Sequence, residues 1–404
     1  MGGLNRYASP MTIEIRLTNA AARRLADGHP WVFKGDIAWT SALDLAEPGE
    51  IARFCDARLR PLGVGTFNPR TELCGRVIAA GAKAKIDAGM FSGRLARALE
   101  KRERLFAVPH YRWVHAEGDF LPGLVIDRYG DVLSVQVTTA GMERLKPLWL
   151  PALHDLARPK TIVWRNDLPA RRQEGIATEP ELWGEPLAGP VAVIEGDVTF
   201  RADLVEGQKT GWFFDQRANR IHVAGFAAGK SVIDLYSHAG GFGLPAAVAG
   251  AAAVTMVDVS PLALDLSRRA AAENRVAERC AWVEADVFDF LDPAADDGRR
   301  WEVVVVDPPA FIKDRRKIPA GLAGYRKLAR LAAAKTAPGG IFFMASCSHH
   351  AHPPQFRAAV EAGLAEAGRS FEPLRQARAD RDHPIHPKLP QNDYLKALTY
   401  RLDV

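Results

Sequence analysis

A chain of 404 residues, 48% of them hydrophobic, is long enough to bury more than one core, and at roughly 150 residues per domain it predicts two or three domains. A charged fraction of 25% with a net charge of +5 is a mild basic excess. It is weaker than that of an architectural nucleic-acid binder and is compatible with an anionic partner. The four cysteines, Cys55, Cys74, Cys280 and Cys347, are widely spaced with no C-x-x-C pair, which argues against a disulfide framework and for reduced thiols in a cytoplasmic protein.

The first residues carry neither an apolar signal core nor a Ser or Thr at the sixth position for myristoylation, and Met11 is the expected natural start. From residue 12 to about residue 78, the runs IEIRL, IARFCD, GVGTF and GRVIA are punctuated by Gly and Pro and predict a small β-rich module. Residues 81–89 read as a linker. A helix-period stretch follows over residues 91–105, and its Arg94, Arg97, Lys101, Arg102 and Arg104 are expected on a solvated face rather than as dedicated RNA contacts. Residues 124–131 and 132–137 predict a hairpin, residues 142–156 a helix and residues 161–164 a further strand. The expected domains are residues 11–82, 88–190 and 191–404.

After Val191 strands and helices alternate: VIDLY, VTMVD, AWVEAD, VVVVD and IFFMAS each precede or follow a helical stretch. Near-continuous apolar strands in this rhythm predict an α/β domain with a parallel sheet covered by helices on both faces. The longest apolar stretch, residues 244–257, falls short of the roughly 18 residues a membrane span requires, so no membrane segment is expected.

The first of these strands runs through Tyr236 into Ser237, His238, Ala239, Gly240, Gly241, Phe242 and Gly243, with a helix expected from about Leu244 and Pro245. Glycines there let the backbone approach a ligand. Gly241-x-Gly243-x-x-Ala246 also satisfies the dinucleotide fingerprint, so the loop alone does not choose between ligands. Asp258, Asp286 and Asp307 stand at the ends of successive strands, where open α/β sheets bind ligands, and so are expected to converge on one edge. Asp258 suits a ribose diol. Asp286 suits an adenine amino group or, equally, the cap of the next helix. A nicotinamide enzyme has no use for the Asp-Pro-Pro that follows the fourth strand.

Asp307-Pro308-Pro309-Ala310-Phe311 resembles the fourth motif of methyltransferases that act on bases, where a carboxylate and a stiff backbone meet a planar heterocycle. On the next strand end, Cys347 stands between Ser346 and Ser348 and is expected to be accessible. Methylating C5 of a pyrimidine requires a nucleophile at C6, and a thiolate supplies it. Asp307 would couple to N3 of a cytosine. Cys347, His349, His350 and His352 are too close in sequence for a usual zinc site, so no metal is expected. The histidines are read instead as adding positive charge near RNA or steadying the thiolate.

Together these motifs resemble the RlmI-type family of large-subunit ribosomal RNA cytosine-5 methyltransferases, over nearly the whole chain. His29-Pro30-Trp31-Val32-Phe33 with Gly35 is similar to the family's N-terminal PUA domain, an RNA-binding barrel. Residues 123–130 resemble its central hairpin domain, residues 209–217 (KTGWFFDQR) the start of its class I Rossmann-like methyltransferase domain, and Asp382-His383-Pro384 with Asp393-Tyr394-Leu395-Lys396 its closing segment. The resemblance implies S-adenosylmethionine as cofactor and RNA, specifically 23S ribosomal RNA, as partner, with a homodimer left open. It implies cofactor contacts from Gln216, Arg217, Arg220, Tyr236, Ser237, Gly240, Gly241, Phe242, Asp258, Asp286, Asp307 and Pro308, and Cys347 with Asp307 as catalytic residues. Ala310 and His349 depart from the family's Lys and Gly, which puts target choice in question. The rivals are a relative acting on uracil C5 or guanine, and a non-catalytic ribosome-binding factor.

Overall fold

The structure, a computed structural model, describes residues 12–207 and 210–403, so the expected start at Met11 and Lys209 of the KTGWFFDQR stretch lie outside the described residues. The chain divides into two compact units. The first runs to Leu187 and takes back Asp382–Pro390, and the second holds Ala188–Arg381 and the chain from Gln391.

In the first unit β1 (Ile13–Arg16), β2 (Trp31–Val32), β3 (Glu50–Cys55), β4 (Pro61–Phe67) and β5 (Gly75–Ala80) form a sheet in the order β1-β3-β4-β5-β2. Ile15, Leu25, Val32, Phe54 and Phe67 fill its core. A second sheet, ordered β10-β9-β8-β7-β6, is built from β6 (His110–His115), β7 (Leu124–Tyr129), β8 (Val132–Val137), β9 (Thr161–Trp164) and β10 (Glu181–Gly184). Its β7–β8 pair is the antiparallel hairpin read from sequence.

The helix Ala88–Leu105 buries Phe91, Leu95, Ala98 and Leu99. Arg102 continues that i, i+3, i+4 row, so it lies on the apolar face and not, as expected, in solvent. It is 1% exposed and forks onto Asp119, Nη1 to Oδ1 at 2.7 Å and Nη2 to Oδ2 at 2.6 Å. Nη2 also donates to the Asp382 carbonyl, while the Asp382 carboxylate accepts from the Arg112 amide, and these bonds fasten the returning 382–390 segment into this unit.

The second unit opens with the hairpin of β11 (Val191–Glu195) and β12 (Val198–Ala202). Its main sheet comprises β13 (Ser231–Leu235), β14 (Ala253–Asp258), β15 (Cys280–Glu284), β16 (Trp301–Val306), β17 (Thr336–Ser346), β18 (Phe371–Ala377) and β19 (Lys396–Leu402), in the order β15-β14-β13-β16-β17-β19-β18. Val303, Val304, Val305 and Val306 are each 0% exposed, so helices cover both faces of β16. The sheet is parallel from β15 to β17, as expected. It then closes with two antiparallel strands, because β19 returns along β17 and β18 along β19. Strand order reverses at β13, which has β14 on one side and β16 on the other, and this opens a crevice at the carboxyl ends of the strands.

Candidate active site

The turn after β13 is strained, with Tyr236 at φ 64°, His238 at φ 48° and Gly240 at φ 81°. A Cβ on Gly240 would stand 2.8 Å from the Leu244 side chain, so only glycine lets the loop lie against the helix Gly243–Val248. From beneath, Asp234 Oδ2 accepts from the amides of Phe242 at 3.1 Å and Gly243 at 2.7 Å. Burial pushes the Asp234 carboxyl up to about 7, against the pull of those two amides. Asp234 Oδ1 and Ser237 Oγ are buried with no hydrogen-bond partner.

The strand-end carboxylates are also held by main-chain amides. Asp258 Oδ2 accepts from His238 N at 2.8 Å and Oδ1 from Ser260 N at 2.9 Å, and each oxygen retains a further acceptor position. Asp286, exposed, caps the short helix Val287–Phe290 through Oδ1, the second of its two expected roles, and Oδ2 takes no part in that cap. Burial and the nearby charges of Asp286 and Asp258 raise the Tyr236 phenol well above its ordinary range, which puts a neutral hydroxyl beside both carboxylates. Phe242 packs on Phe343 at 5.0 Å.

An acceptor-rich rim around a flat glycine loop, with two partnerless buried oxygens beneath it, fits a ligand that brings hydroxyl and amino donors. The ribose diol and adenine amino group of S-adenosylmethionine are such donors.

Of the residues 216–220, Gln216 reaches the Asp307 end of this edge. Its Nε2 donates to Asp307 Oδ1 at 3.0 Å while its Oε1 accepts from Asn219. Arg217 and Arg220, also expected at the cofactor, face Glu195 of β11, a buried carboxylate that demands cations. Arg220 donates from Nε and Nη2 to Glu195 at 2.9 and 2.7 Å and from Nη2 to the Phe213 carbonyl. Arg217 Nε lies 3.6 Å from the same carboxylate. Trp212 completes the cluster through a 2.8 Å bond to Glu195, and its ring lies under the Arg220 guanidinium. These arginines support the floor of the glycine loop, since Arg220 lies just under Gly241.

On the other side of the crevice, Val306 pairs with Met344, so Asp307 stands level with Ala345, two residues before Cys347 on the neighbouring strand. Cys347 is half-buried, and Pro308 is buried beside Asp307. The flanking hydroxyls are turned inward. Ser346 and Ser348 are buried and each bonds the Tyr325 hydroxyl at 2.8 Å. Ser348 Oγ also accepts from the Ile312 amide, which ties the loop after β16 to the loop after β17. Phe311 stacks on Tyr325 at 4.8 Å.

Tyr325, Asp234, Glu195 and Lys396 were not singled out as site residues from sequence. An acidic residue inside the apolar run VIDLY was a usable signal for Asp234. For Tyr325, on the helix Ile318–Ala334, none existed. Among the described residues no group of three or more His, Cys, Asp or Glu side chains is arranged to hold a metal ion, and no helix is long and apolar enough to cross a membrane.

Residues 168–401 match the family of S-adenosylmethionine-dependent methyltransferases, and residues 15–80 match the PUA-like domain. The chain is 34% identical over 397 residues to "Ribosomal RNA large subunit methyltransferase I" of Shewanella denitrificans, covering 97% of this chain and 100% of that protein. It is 33% identical to "Ribosomal RNA large subunit methyltransferase" of Deinococcus radiodurans, covering 98% and 99%. A methyltransferase-type protein solved in complex with SAH superposes with a TM-score of 0.82 at 20% identity, over 96% of this chain and 100% of that one, which establishes the shared fold. With a family match across more than half its length and full-length relatives above 30% identity, the chain belongs to the S-adenosylmethionine-dependent methyltransferases of the ribosomal RNA large subunit methyltransferase I family.

Proposed function

We propose that the protein methylates C5 of a cytosine in large-subunit ribosomal RNA, with Cys347 as nucleophile and Asp307 holding the base. The observation that carries this reading is the pairing of β16 with β17, which sets Asp307 and Cys347 on one edge of the crevice beside the glycine loop. The names of the full-length relatives support ribosomal RNA as the substrate, and the match of residues 15–80 to the PUA-like domain supports an RNA-holding module there. The cytosol is the compartment this substrate implies.

The chemistry follows from the pyrimidine. A base swung out of its stack enters the crevice, and the Asp307 carboxyl meets its N3 edge while Gln216 keeps that carboxyl oriented. The Cys347 sulfur adds to C6, and the C5–C6 electron pair moves to C5. S-adenosylmethionine, when bound, supplies the electrophilic methyl group that C5 takes up. Water or a base then takes the C5 proton, the C5–H electron pair re-forms the C5–C6 double bond, and the S–C6 pair returns to sulfur, leaving 5-methylcytosine. Asp258, Asp286, Tyr236, Ser237, Gly240, Gly241 and Phe242 bind the cofactor, and Arg217 and Arg220 act beneath them through Glu195.

The test is incubation with methyl-labelled S-adenosylmethionine and ribosomal RNA, followed by digestion to nucleosides and mass spectrometry. Label in 5-methylcytidine is the expected result. Label in a methylated guanosine or uridine refutes the cytosine assignment.

A further inference from the structure

Antiparallel pairing sets Lys396, the first residue of β19, directly opposite Ser346, the last residue of β17. Lys396 is 4% exposed and donates from Nζ to the Ser348 carbonyl at 2.6 Å. It therefore reaches from the strand position opposite Ser346 to the carbonyl that follows Cys347. Among the described residues no carboxylate lies within 4.0 Å of it, and a carbonyl is its hydrogen-bond partner. Asp393 contributes negative charge at a distance, and a buried cation whose direct partner is a carbonyl is costly.

We propose that Lys396 is the counter-ion of the Cys347 thiolate, a positioning residue that keeps the nucleophile ionised before RNA arrives. This deepens the reading of Cys347 as nucleophile and rests on it. The sulfur's proton leaves to solvent when the thiolate forms, and the ammonium keeps its own three. Burial lowers Lys396 to about 8, while the negative charges of Cys347 and Asp393 pull the other way, so the charge on Lys396 and the charge on Cys347 favour each other.

Other titratable and polar groups stand around this spot. Tyr325, facing from the helix Ile318–Ala334, is raised by burial and stays a neutral hydroxyl engaged with Ser346 and Ser348. Asp307, at the end of β16, is bonded by Gln216 and adds negative charge. Asp393 adds negative charge too. His349 packs its ring against Tyr394 at 5.2 Å, and the Tyr394 hydroxyl donates to Asp215. Lys396 is a buried cation fixed by the carbonyl of the residue next to the nucleophile.

The test is the pH dependence of carbamidomethylation of Cys347 by iodoacetamide in the full-length protein, read by mass spectrometry of the Cys347 peptide. Neither RNA nor cofactor is needed, so a methylated base other than cytosine would sink the substrate reading and leave this result standing. In the wild type, the midpoint should lie below the ordinary thiol value of about 8.5. In Lys396→Met, of similar length and uncharged, it should rise by about one to three pH units, since an opposite charge within a few ångströms shifts a group by that much. Lys396→Arg should recover part of the shift. A Lys396→Met profile that overlays the wild type, with cofactor affinity unchanged as a check on folding, overturns the proposal. A wild-type midpoint at or above 8.5 overturns it even if the Met variant fails to fold.

Discussion

The two sides of the crevice are held in different ways. On the cofactor side, Asp234, Asp258 and Asp286 are each fixed by pairs of main-chain amides within twenty residues of themselves. On the reaction side, the segment around Cys347 is fixed by side chains from afar, Tyr325 from a helix and Lys396 from the returning antiparallel strand. The aspartate is the mutable half of each contact, so a substitution on the cofactor side removes a proposed ligand contact and also leaves two main-chain amides without their acceptor. Substitutions on the reaction side remove the scaffold of the nucleophile itself.

The largest expected effect separates the two sides outright. Cys347→Ala should cut methyl transfer by about a thousandfold or more, as loss of a covalent nucleophile does. Its dissociation constant for S-adenosylmethionine should match the wild type in calorimetry, because the proposed cofactor contacts stand at the ends of β13, β14 and β15. A parallel loss of cofactor affinity would show that the two sides are one cooperative unit.

Asp234 probes the floor of the cofactor side through pH. Its folded value, about 7, lies above the ordinary 3.8, so the native state holds this proton more tightly than the unfolded chain. Stability from this group is greatest below the unfolded value and falls as pH rises toward 7, then stays level. At about 1.4 kcal/mol per unit the change amounts to a few kcal/mol. Asp234→Asn, which cannot ionise but keeps an acceptor for Phe242 and Gly243, should gain on the wild type across that window in chemical denaturation. Parallel stability curves would mean that the carboxylate is not desolvated.

Asp258→Ala should lose hydrogen bonds to a carboxylate worth roughly 1.5–3 kcal/mol and raise the cofactor dissociation constant about tenfold or more. Unchanged binding in calorimetry would detach β14 from the cofactor. The smallest effect belongs to Tyr325→Phe, which leaves the Ser346 and Ser348 hydroxyls short of a partner at a cost of roughly 1–3 kcal/mol in stability. Turnover should fall in this variant with cofactor affinity intact, and a drop in affinity alone would reverse the contrast between the two sides.

The same contrast explains what the sequence made legible. The glycine loop, the three strand-end aspartates and the hairpin of β7 and β8 are contiguous motifs whose spacing maps directly onto strands and turns. Lys396 and Tyr325 reach Cys347 only because β19 turns back along β17 and a helix packs over it, and no local period encodes either. Arg102 looked like one more surface cation, although its place in the 91, 95, 98 row of the helix put it in the core. That Arg217 and Arg220 share Glu195 was not legible, because a single acid in a hairpin is marked by no motif.

The central claim is a covalent bond from Cys347 to the target base. The direct test is a substrate ribosomal RNA carrying 5-fluorocytosine, which cannot shed fluorine as it sheds the C5 proton. It should trap the wild-type protein in a denaturant-resistant adduct that peptide mapping places on Cys347, with Cys55, Cys74 and Cys280 unlabelled. An adduct on another residue, or turnover retained in Cys347→Ala, would contradict the account.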